Sequence, residues 1–481
     1  RRPIVLAQRR RGAGVAEAVA PGLPELGLML PPSPLHQLLA EDAARPLVLT
    51  SGNLTDEPIA YEDADAFARL GPLVDAVLTH DRAIHIRCDD GVVRAGVAAG
   101  LQTVRRSRGD APEPLPLPLP ARRRVLAVGA ELKNTVAVAK GTAVLVSHHI
   151  GDLEHHATYR SFLQAVDHLC HLFGVEPDVV AHDIHPEYLS TKFATELELA
   201  ACPVQHHHAH VASCMVEHGR TDPVLGIAFD GLGFGTDGTL WGGEFLVADL
   251  RGFQRVGHLL PVPLPGGAAA IREPWRMAVA WLHQALGEDA VARHASVLDD
   301  RWAAMLALVR GWRGPTTSSV GRLFDAVAAL LGIRSAVTYE GQAAVELEAS
   351  ARRVPAAEAP VYPTDVVTDG DPVVLDPSPL LAAVLAERDR GTPRETVAAG
   401  FHAGLADGVA RVAIGLADRH RLDTVALSGG VFQNARLSEL LSGRLAAAGL
   451  RVLTHRRIPA NDGGISVGQA AIAALGATTG S

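Results

Sequence analysis

The densest run of side chains able to do chemistry is Gln205-His206-His207-His208-Ala209-His210, which leads into an apolar, helix-like stretch over Val211–His218 stopped by Gly219. On a helix, His206 and His210 stand four residues apart and project from one face, one turn from each other. Imidazoles at that spacing can hold a single divalent cation. The other reading is a solvated polyhistidine turn, or core histidines satisfied by backbone carbonyls. An internal cluster at the head of an apolar helix is unlike a tag and favours the metal. Such a centre needs more ligands. Asp230, closing an apolar strand, comes first; Asp462, in Asn461-Asp462-Gly463-Gly464, comes next, although that string is also turn chemistry. Two imidazoles and two carboxylates suit iron or zinc and leave room for substrate oxygens.

Backbone donors make a second group. Thr424–Leu427 reads as a strand ending in Ser428-Gly429-Gly430, with a helix from about Asn434 to Ala448 that ends at Gly449. Glycines after a strand let N–H groups approach a ligand, and the following helix N-terminus favours negative charge. Turn sterics explain the same glycines equally well. Asp325, in the helix-like run Leu323–Leu331, is placed either to hold a ribose hydroxyl or to face water. His148, His149, His155 and His156 flank Gly151-Asp152 and read at least as well as loop histidines. The sequence contains neither a Ser-His-Asp order nor a Walker-type phosphate loop.

These residues must be positioned by an ordinary globular chain. Of its 481 residues 48% are hydrophobic and 20% charged, and 44 basic against 53 acidic residues give a net charge of −9. That balance argues against nucleic-acid or anionic-membrane binding driven by bulk charge, and aromatics at 4% leave few platforms for single strands. Four cysteines form no C-x-x-C pair, so neither a zinc ribbon nor a disulfide framework is expected. With no charge-free apolar run of about 18 residues and no secretory leader, the expected address is the cytoplasm, with no membrane partner. Length alone suggests about three domains. The chain starts at Arg1, its first methionine is Met29, and it runs straight into strand-like sequence, so it reads as an incomplete protein.

Proline at every second position from Pro112 to Pro120 favours a stiff, extended segment and reads as a linker over 111–124. Before it, residues 1–110 mix short β-type runs (Pro3–Leu6, Pro46–Thr50, Ala76–Thr79, Ile84–Arg87) with a helix beginning at Glu62–Arg69, an α/β pattern thin for a self-contained domain. After it, residues 125–481 carry a faint repeat. Val125–Thr135 runs into an apolar strand at Ala143–Ser147, and Val224–Gly238 runs into Phe245–Ala248. Each is a strand, a tight glycine- or polar-rich turn and a returning strand, followed by helical sequence. This points to a duplicated α/β domain with a nucleotide or phosphate between its halves. The Pro- and Asp-rich Val354–Pro379 looks like an irregular insertion.

Gln205–His210, Phe229-Asp230-Gly231, Trp241-Gly242-Gly243-Glu244, Arg272-Glu273-Pro274-Trp275-Arg276, Tyr339-Glu340-Gly341-Gln342 and Ser428–Asn434 resemble the HypF family, the carbamoyltransferases of nickel–iron hydrogenase maturation. The first unit is similar to the C-terminal part of the family's YrdC-like domain through Ser51-Gly52-Asn53, His80-Asp81-Arg82 and Arg87-Cys88-Asp89-Asp90. The resemblance implies a partial YrdC-like α/β domain followed by a duplicated actin-like ATPase fold, related to the TsaD enzymes of tRNA threonylcarbamoylation. On the family's pattern His206, His210, Asp230 and Asp462 match metal ligands, with His206, His210 and Asp230 also at the reacting centre. Asp325, Gly341 and Asn434 match nucleotide-contacting positions in the TsaD relatives, with Gly429 and Gly430 read as nucleotide-binding through the turn donors described above, and Ser51 and Asn53 match the nucleotide site of the YrdC-like domain. Gln433 and Phe432 replace the small residues usual beside Asn434, and Gly91 stands where serine is usual. The family's acylphosphatase domain and cysteine clusters are not in the sequence, which is therefore read as a C-terminal portion. The implied reaction uses carbamoyl phosphate and ATP, passes through carbamoyl-adenylate, and delivers the carbamoyl to the C-terminal cysteine of HypE as precursor of a cyanide ligand. Two readings compete with it: a threonylcarbamoyl or small-molecule O-carbamoyltransferase, and a non-catalytic nucleotide-binding docking module.

Overall fold

A computed structural model describes residues 1–10, 12, 14–54, 57–97, 100–368 and 370–476. The chain divides into two compact units: Arg1–Val204 with Val216–Thr221 and His455–Ser481, and Gln205–Met215 with Asp222–Thr454.

The first unit carries two sheets. β1 (Ile4–Gln8), β2 (Glu25–Leu28), β3 (Val92–Val97) and β4 (Gly100–Arg105) lie in the order β2-β1-β3-β4. The segments Pro46–Thr50, Ala76–Thr79 and Ile84–Arg87, expected as strands, have no strand pairing. Most of their apolar residues are exposed rather than paired, Val48 being 81% accessible. The expected helix is present as Asp63–Leu70.

The second sheet contains β5 (Leu115–Pro116), β6 (Val125–Ala127), β7 (Ala137–Lys140), β8 (Ala143–Val146), β9 (Val179–Asp183) and β10 (Ala200–Val204), in the order β10-β9-β6-β7-β8-β5. The proline run is extended as its composition requires, yet it is not a free spacer. Leu115–Pro116 pairs antiparallel with β8 and Leu115 is buried. Proline is tolerated there because β5 is an edge strand. The helix Ile465–Leu475 packs on β6, β7 and β9. Its Gln469 clamps Gly129, accepting from the Gly129 N–H (2.8 Å) and donating to its carbonyl (3.2 Å).

The other unit is built on β11 (Val224–Phe234), β12 (Leu240–Ala248), β13 (Phe253–Leu259), β14 (Val262–Pro263), β15 (Thr316–Thr317), β16 (Asp365–Val367), β17 (Val373–Asp376), β18 (Thr424–Ser428) and β19 (Arg451–Thr454). The main path is β16-β17-β13-β12-β11-β18-β19. The first seven residues of β11 are all buried, as expected of a central strand covered on both faces. Helices Pro274–Leu286, Val320–Leu330 and Arg394–His420 enclose a core that includes Trp275, Trp281, Phe324 and Phe401. Arg394–His420 is long and apolar enough to cross a membrane, but 83% of its most apolar window is buried inside the fold.

The faint repeat is a true topological repeat. In each unit a three-stranded antiparallel meander (β6-β7-β8 and β11-β12-β13) has its first strand flanked by two parallel strands (β9-β10 and β18-β19). This is the duplicated actin-like α/β fold that the resemblance implies. Two local expectations are corrected. Val354–Pro379 is not irregular throughout: β16 and β17 pair antiparallel, and β17 extends the sheet beside β13. The glycine-rich turn after Phe229 is shorter than its composition suggests, because β11 continues through Gly231 and Gly233 to Phe234.

Candidate metal and nucleotide site

The histidine helix begins earlier than its apolar run indicates, spanning His206–Glu217. Gln205 explains the early start: its side-chain oxygen accepts from the His208 N–H (2.9 Å), satisfying a donor of the first turn. The four imidazoles then part company. His206 Nε2 and His210 Nε2 lie 3.2 and 3.5 Å from the same oxygen, Asp230 Oδ2. His208 Nε2 turns the other way and donates to the Asp249 carbonyl (2.7 Å). His207 packs near Trp241, with ring centroids 6.0 Å apart.

Two glycines let the helix approach β11. A Cβ on Gly226 would fall 2.3 Å from Val211 Cγ2, and one on Gly233 would fall 2.5 Å from His207 Cε1 and 2.8 Å from His206 Cδ2. Ser428, at the end of β18, donates to the His210 carbonyl (2.8 Å) and ties the helix to the neighbouring strand. Asp230 is itself held: the Gly430 N–H donates to Oδ1 (3.0 Å), so Oδ2 is the oxygen presented to the imidazoles.

Burial would raise the Asp230 carboxyl, but His206 and His210 beside it override burial and hold it well below the usual range. Burial keeps His207 well below its ordinary value and thus neutral. Ligand atoms of His206, His210 and Asp230 fall within 4.8 Å of one another. Two imidazole nitrogens and a carboxylate oxygen converging in this way form a donor set that fits a borderline divalent cation such as zinc or iron.

Gly429 and the helix Ala435–Ala447 behave differently from the anion cradle considered for them. Gly429 has φ +96°, and a Cβ there would lie 2.1 Å from the Phe229 carbonyl oxygen, so packing against β11 already demands glycine. At the helix start, Asn434 Oδ1 accepts from the Leu437 N–H (2.9 Å). Glu348 accepts from Ala435 N (3.0 Å) and Arg436 N (3.4 Å). Protein oxygens therefore serve the N-terminal donors that a phosphate would otherwise use. The Asn434 amide is also fixed at its other end, 3.0 Å from His402 Nε2, while His402 Nδ1 bonds the Ala398 carbonyl (2.7 Å).

Asp325 faces the interior, only 2% exposed, and its Oδ2 lies 3.0 Å from Arg322 Nη2. Burial pushes its carboxyl up to about 6 against the pull of Arg322. Gly341 caps the helix Gln342–Ala351 at φ +76°, a conformation that explains its residue type.

The remaining expected site residues belong to the first unit. Ser51 is exposed and its hydroxyl bonds Asn53 Oδ1, while Asn53 Nδ2 donates to the Leu54 carbonyl (2.8 Å). Asp462 opens the short turn Asp462–Gly464, in which Asn461 Oδ1 accepts from the Gly463 N–H (3.0 Å). Of the other loop histidines, His148 is buried and held down to about 4 by burial, whereas His155 and His156 are exposed.

Sequence reading missed several polar residues. Glu244 is completely buried, accepting from the Gly242 and Gly243 N–H groups (3.1 and 3.2 Å) and from Arg255 Nε (2.6 Å). Arg322 carried a signal, an arginine three residues from an aspartate in an apolar helix. Glu348 and His402 carried none, because their partners are distant in sequence.

Comparison with known proteins gives a consistent picture. Residues 226–469 match the family described as carbamoyltransferase, Kae1-like domain, second subdomain; residues 120–217 match the HypF Kae1-like domain; residues 1–107 match the family described as telomere recombination, which includes YrdC. Carbamoyltransferase HypF2 of Cupriavidus necator is 41% identical over 98% of the chain and 63% of its own length. A carbamoyltransferase HypF homolog of the same organism is 42% identical over 73% of the chain and 91% of its own length. A crystal structure of full-length HypF in a phosphate- and nucleotide-bound form superposes with a TM-score of 0.94 at 39% identity, covering 98% of this chain and 74% of that one. The chain spans about 63% of the length of the first of these curated relatives.

Proposed function

The chain belongs to the HypF carbamoyltransferase family, and from that premise we propose that it serves ATP-dependent carbamoyl transfer in nickel–iron hydrogenase maturation. Water hydrolyses carbamoyl phosphate to carbamate and inorganic phosphate, and a carbamate oxygen then attacks the α-phosphorus of ATP as pyrophosphate leaves. The cysteine sulfur of HypE then bonds the carbamoyl carbon while the bond to AMP breaks and the thiol proton is released. Forming the adenylate is chemically sensible, since carbamate is a poor electrophile and AMP is a leaving group that a site can stabilise. The intermediate needs protection from water throughout.

The observation that carries this reading is the convergence of His206 and His210 on Asp230 Oδ2 in a chain of this family. These three residues, with Asp462 assigned as fourth ligand from the family resemblance, would hold iron or zinc. A cation so held supplies Lewis-acid polarisation of a carbonyl oxygen. The chain's own groups have simpler tasks. Gly430 N–H orients the Asp230 carboxylate, and the neutral His207 adds no competing charge. By the family resemblance we assign Asp325, Gly341, Gly429, Gly430 and Asn434 to the nucleotide site of the Kae1-like part, where the phosphoryl oxygens need donors other than the helix N–H groups that Glu348 and Asn434 already serve, and Ser51 and Asn53 to that of the YrdC-like part. The nucleotide and phosphate named for the HypF crystal structure support a nucleotide as ligand.

The test supplies ATP, purified HypE and either carbamoyl phosphate or ammonium carbamate, and reads the HypE C-terminal peptide by mass spectrometry. One added carbamoyl group on cysteine is expected. An unmodified cysteine with both donors, from protein that carries its metal, would overturn the assignment.

A further inference from the structure

Arg322 stands in the first turn of the helix Val320–Leu330 and is only 4% exposed. Guanidinium is a permanently charged fork of five donors. Here Nη2 lies 3.0 Å from Asp325 Oδ2, while Nε is buried and has no hydrogen-bond partner among the described residues. A single-point contact with one carboxylate does not complete the bonding of a buried fork, and an unserved buried N–H is costly.

The guanidinium also lies close to the strand that carries Asp230. A Cβ placed on Gly231 would stand 3.6 Å from Arg322 Nη2, so the guanidinium lies over the residue that follows Asp230. The helix start is fastened to the same stretch of β11. Ser319 Oγ lies 2.7 Å from the Asp230 carbonyl oxygen and 2.8 Å from that of Gly231. A Cβ on Gly321 would come 3.0 Å from Gly231 Cα, so glycine is needed for the approach. Glycine at 321 thus brings a buried cation to the strand that carries a metal-site carboxylate.

We propose that Arg322 is an anion-recognition residue of this unit, donating to a phosphoryl oxygen of a nucleotide bound beside the His206–His210–Asp230 centre. The inference rests on the nucleotide reading above and adds the group that recognises the charged end of the ligand. Asp325 then acts through Arg322, holding the guanidinium from behind, in addition to any contact of its own. A phosphoryl oxygen completes what one carboxylate leaves open, because charge-assisted bonds to a planar fork are the strong ones. Free phosphate offers the same oxygens, so the experiment must separate the two sources.

The experiment measures binding of ATP, adenosine and inorganic phosphate to the full chain by calorimetry, for wild type, Arg322→Gln and Arg322→Lys, with metal content and thermal melting recorded for each. Arg322→Gln is expected to weaken ATP roughly 10- to 100-fold while leaving adenosine affinity and metal content unchanged. Arg322→Lys, which keeps the buried charge beside Asp325, is expected to lose less and guards against a folding defect in the glutamine variant. Phosphate that displaces ATP from wild type locates the contact at the phosphoryl oxygens. Phosphate that binds in an Arg322-dependent way where ATP and adenosine do not identifies free phosphate as the ligand and overturns the nucleotide assignment. Equal weakening of ATP and adenosine would make Arg322 structural and sink the inference. ATP binding untouched by both substitutions would overturn the inference alone, whereas wild type that binds none of the three probes removes the nucleotide reading with it.

Discussion

At the residue scale, the metal assignment depends on two imidazoles sharing one carboxylate oxygen. His206→Ala combined with His210→Ala is expected to bring metal content to background by plasma emission, while Asp230→Asn lowers it and keeps the shape of the site. Metal retained at wild-type level in the double variant would refute the centre. His207 and His208 are the matched controls, since their rings serve packing and a backbone carbonyl. A separate expectation concerns His402, held down to about 4 by burial. Its folded form binds a proton less readily than an unfolded histidine of ordinary value near 6.5. The stability tied to the neutral ring is therefore complete above about pH 6.5 and is lost as pH falls toward about 4, amounting to about 3 kcal/mol. In His402→Gln that increment should be missing from the difference between denaturation at pH 7 and pH 4. An identical pH dependence in variant and wild type would contradict it.

Elements position these residues by close backbone approach. Gly226 and Gly233 are separated by seven positions on β11, and both lie where a methyl group would strike the histidine helix or its rings. Gly233→Ala should displace His206 and His207, lowering metal affinity at least 10-fold in competition with a chelator while the core of the unit stays folded. Unchanged affinity would mean that the rings move aside freely. Glu348 poses a different question, because a carboxylate from one helix caps another. Replacing it with alanine leaves two N–H donors unserved and should cost about 1–3 kcal/mol. Glutamine retains an acceptor oxygen and should cost about 1 kcal/mol through lost charge at the helix start. Equal stabilities by chemical denaturation would remove the capping role. Neither glycine nor the glutamate could be assigned its partner from sequence, since periodicity reports which face a residue occupies and not what crosses it.

At the scale of the whole molecule, a cation bound to the folded chain adds stability by mass action, about 2.7 kcal/mol at a hundred times its dissociation constant. For a unit of this size that is a rise of about 5–11 °C in the melting temperature. Chelation should reverse the rise, and the His206→Ala, His210→Ala variant should not respond to either treatment. A wild-type melt indifferent to metal would count against a site built into the fold.

The sequence by itself determined the chemistry on offer and the repeated plan. The i, i+4 histidines, the apolar run that carries Asp230 and the two strand–turn–strand passages were legible because their signals are local: helical spacing, apolar runs and turn residues. Local signals also misled. Pro46–Thr50 has strand composition without a strand, and Val354–Pro379 holds β16 and β17 despite its prolines and aspartates. Strand formation depends on finding a partner edge, which composition does not encode. Only the tertiary structure decided what His207 and His208 pack against, that Glu348 occupies the helix end offered to a phosphate, and that Arg322 lies over Gly231. Each of those outcomes joins residues far apart in the chain, where packing and the need to satisfy buried polar groups select the partner.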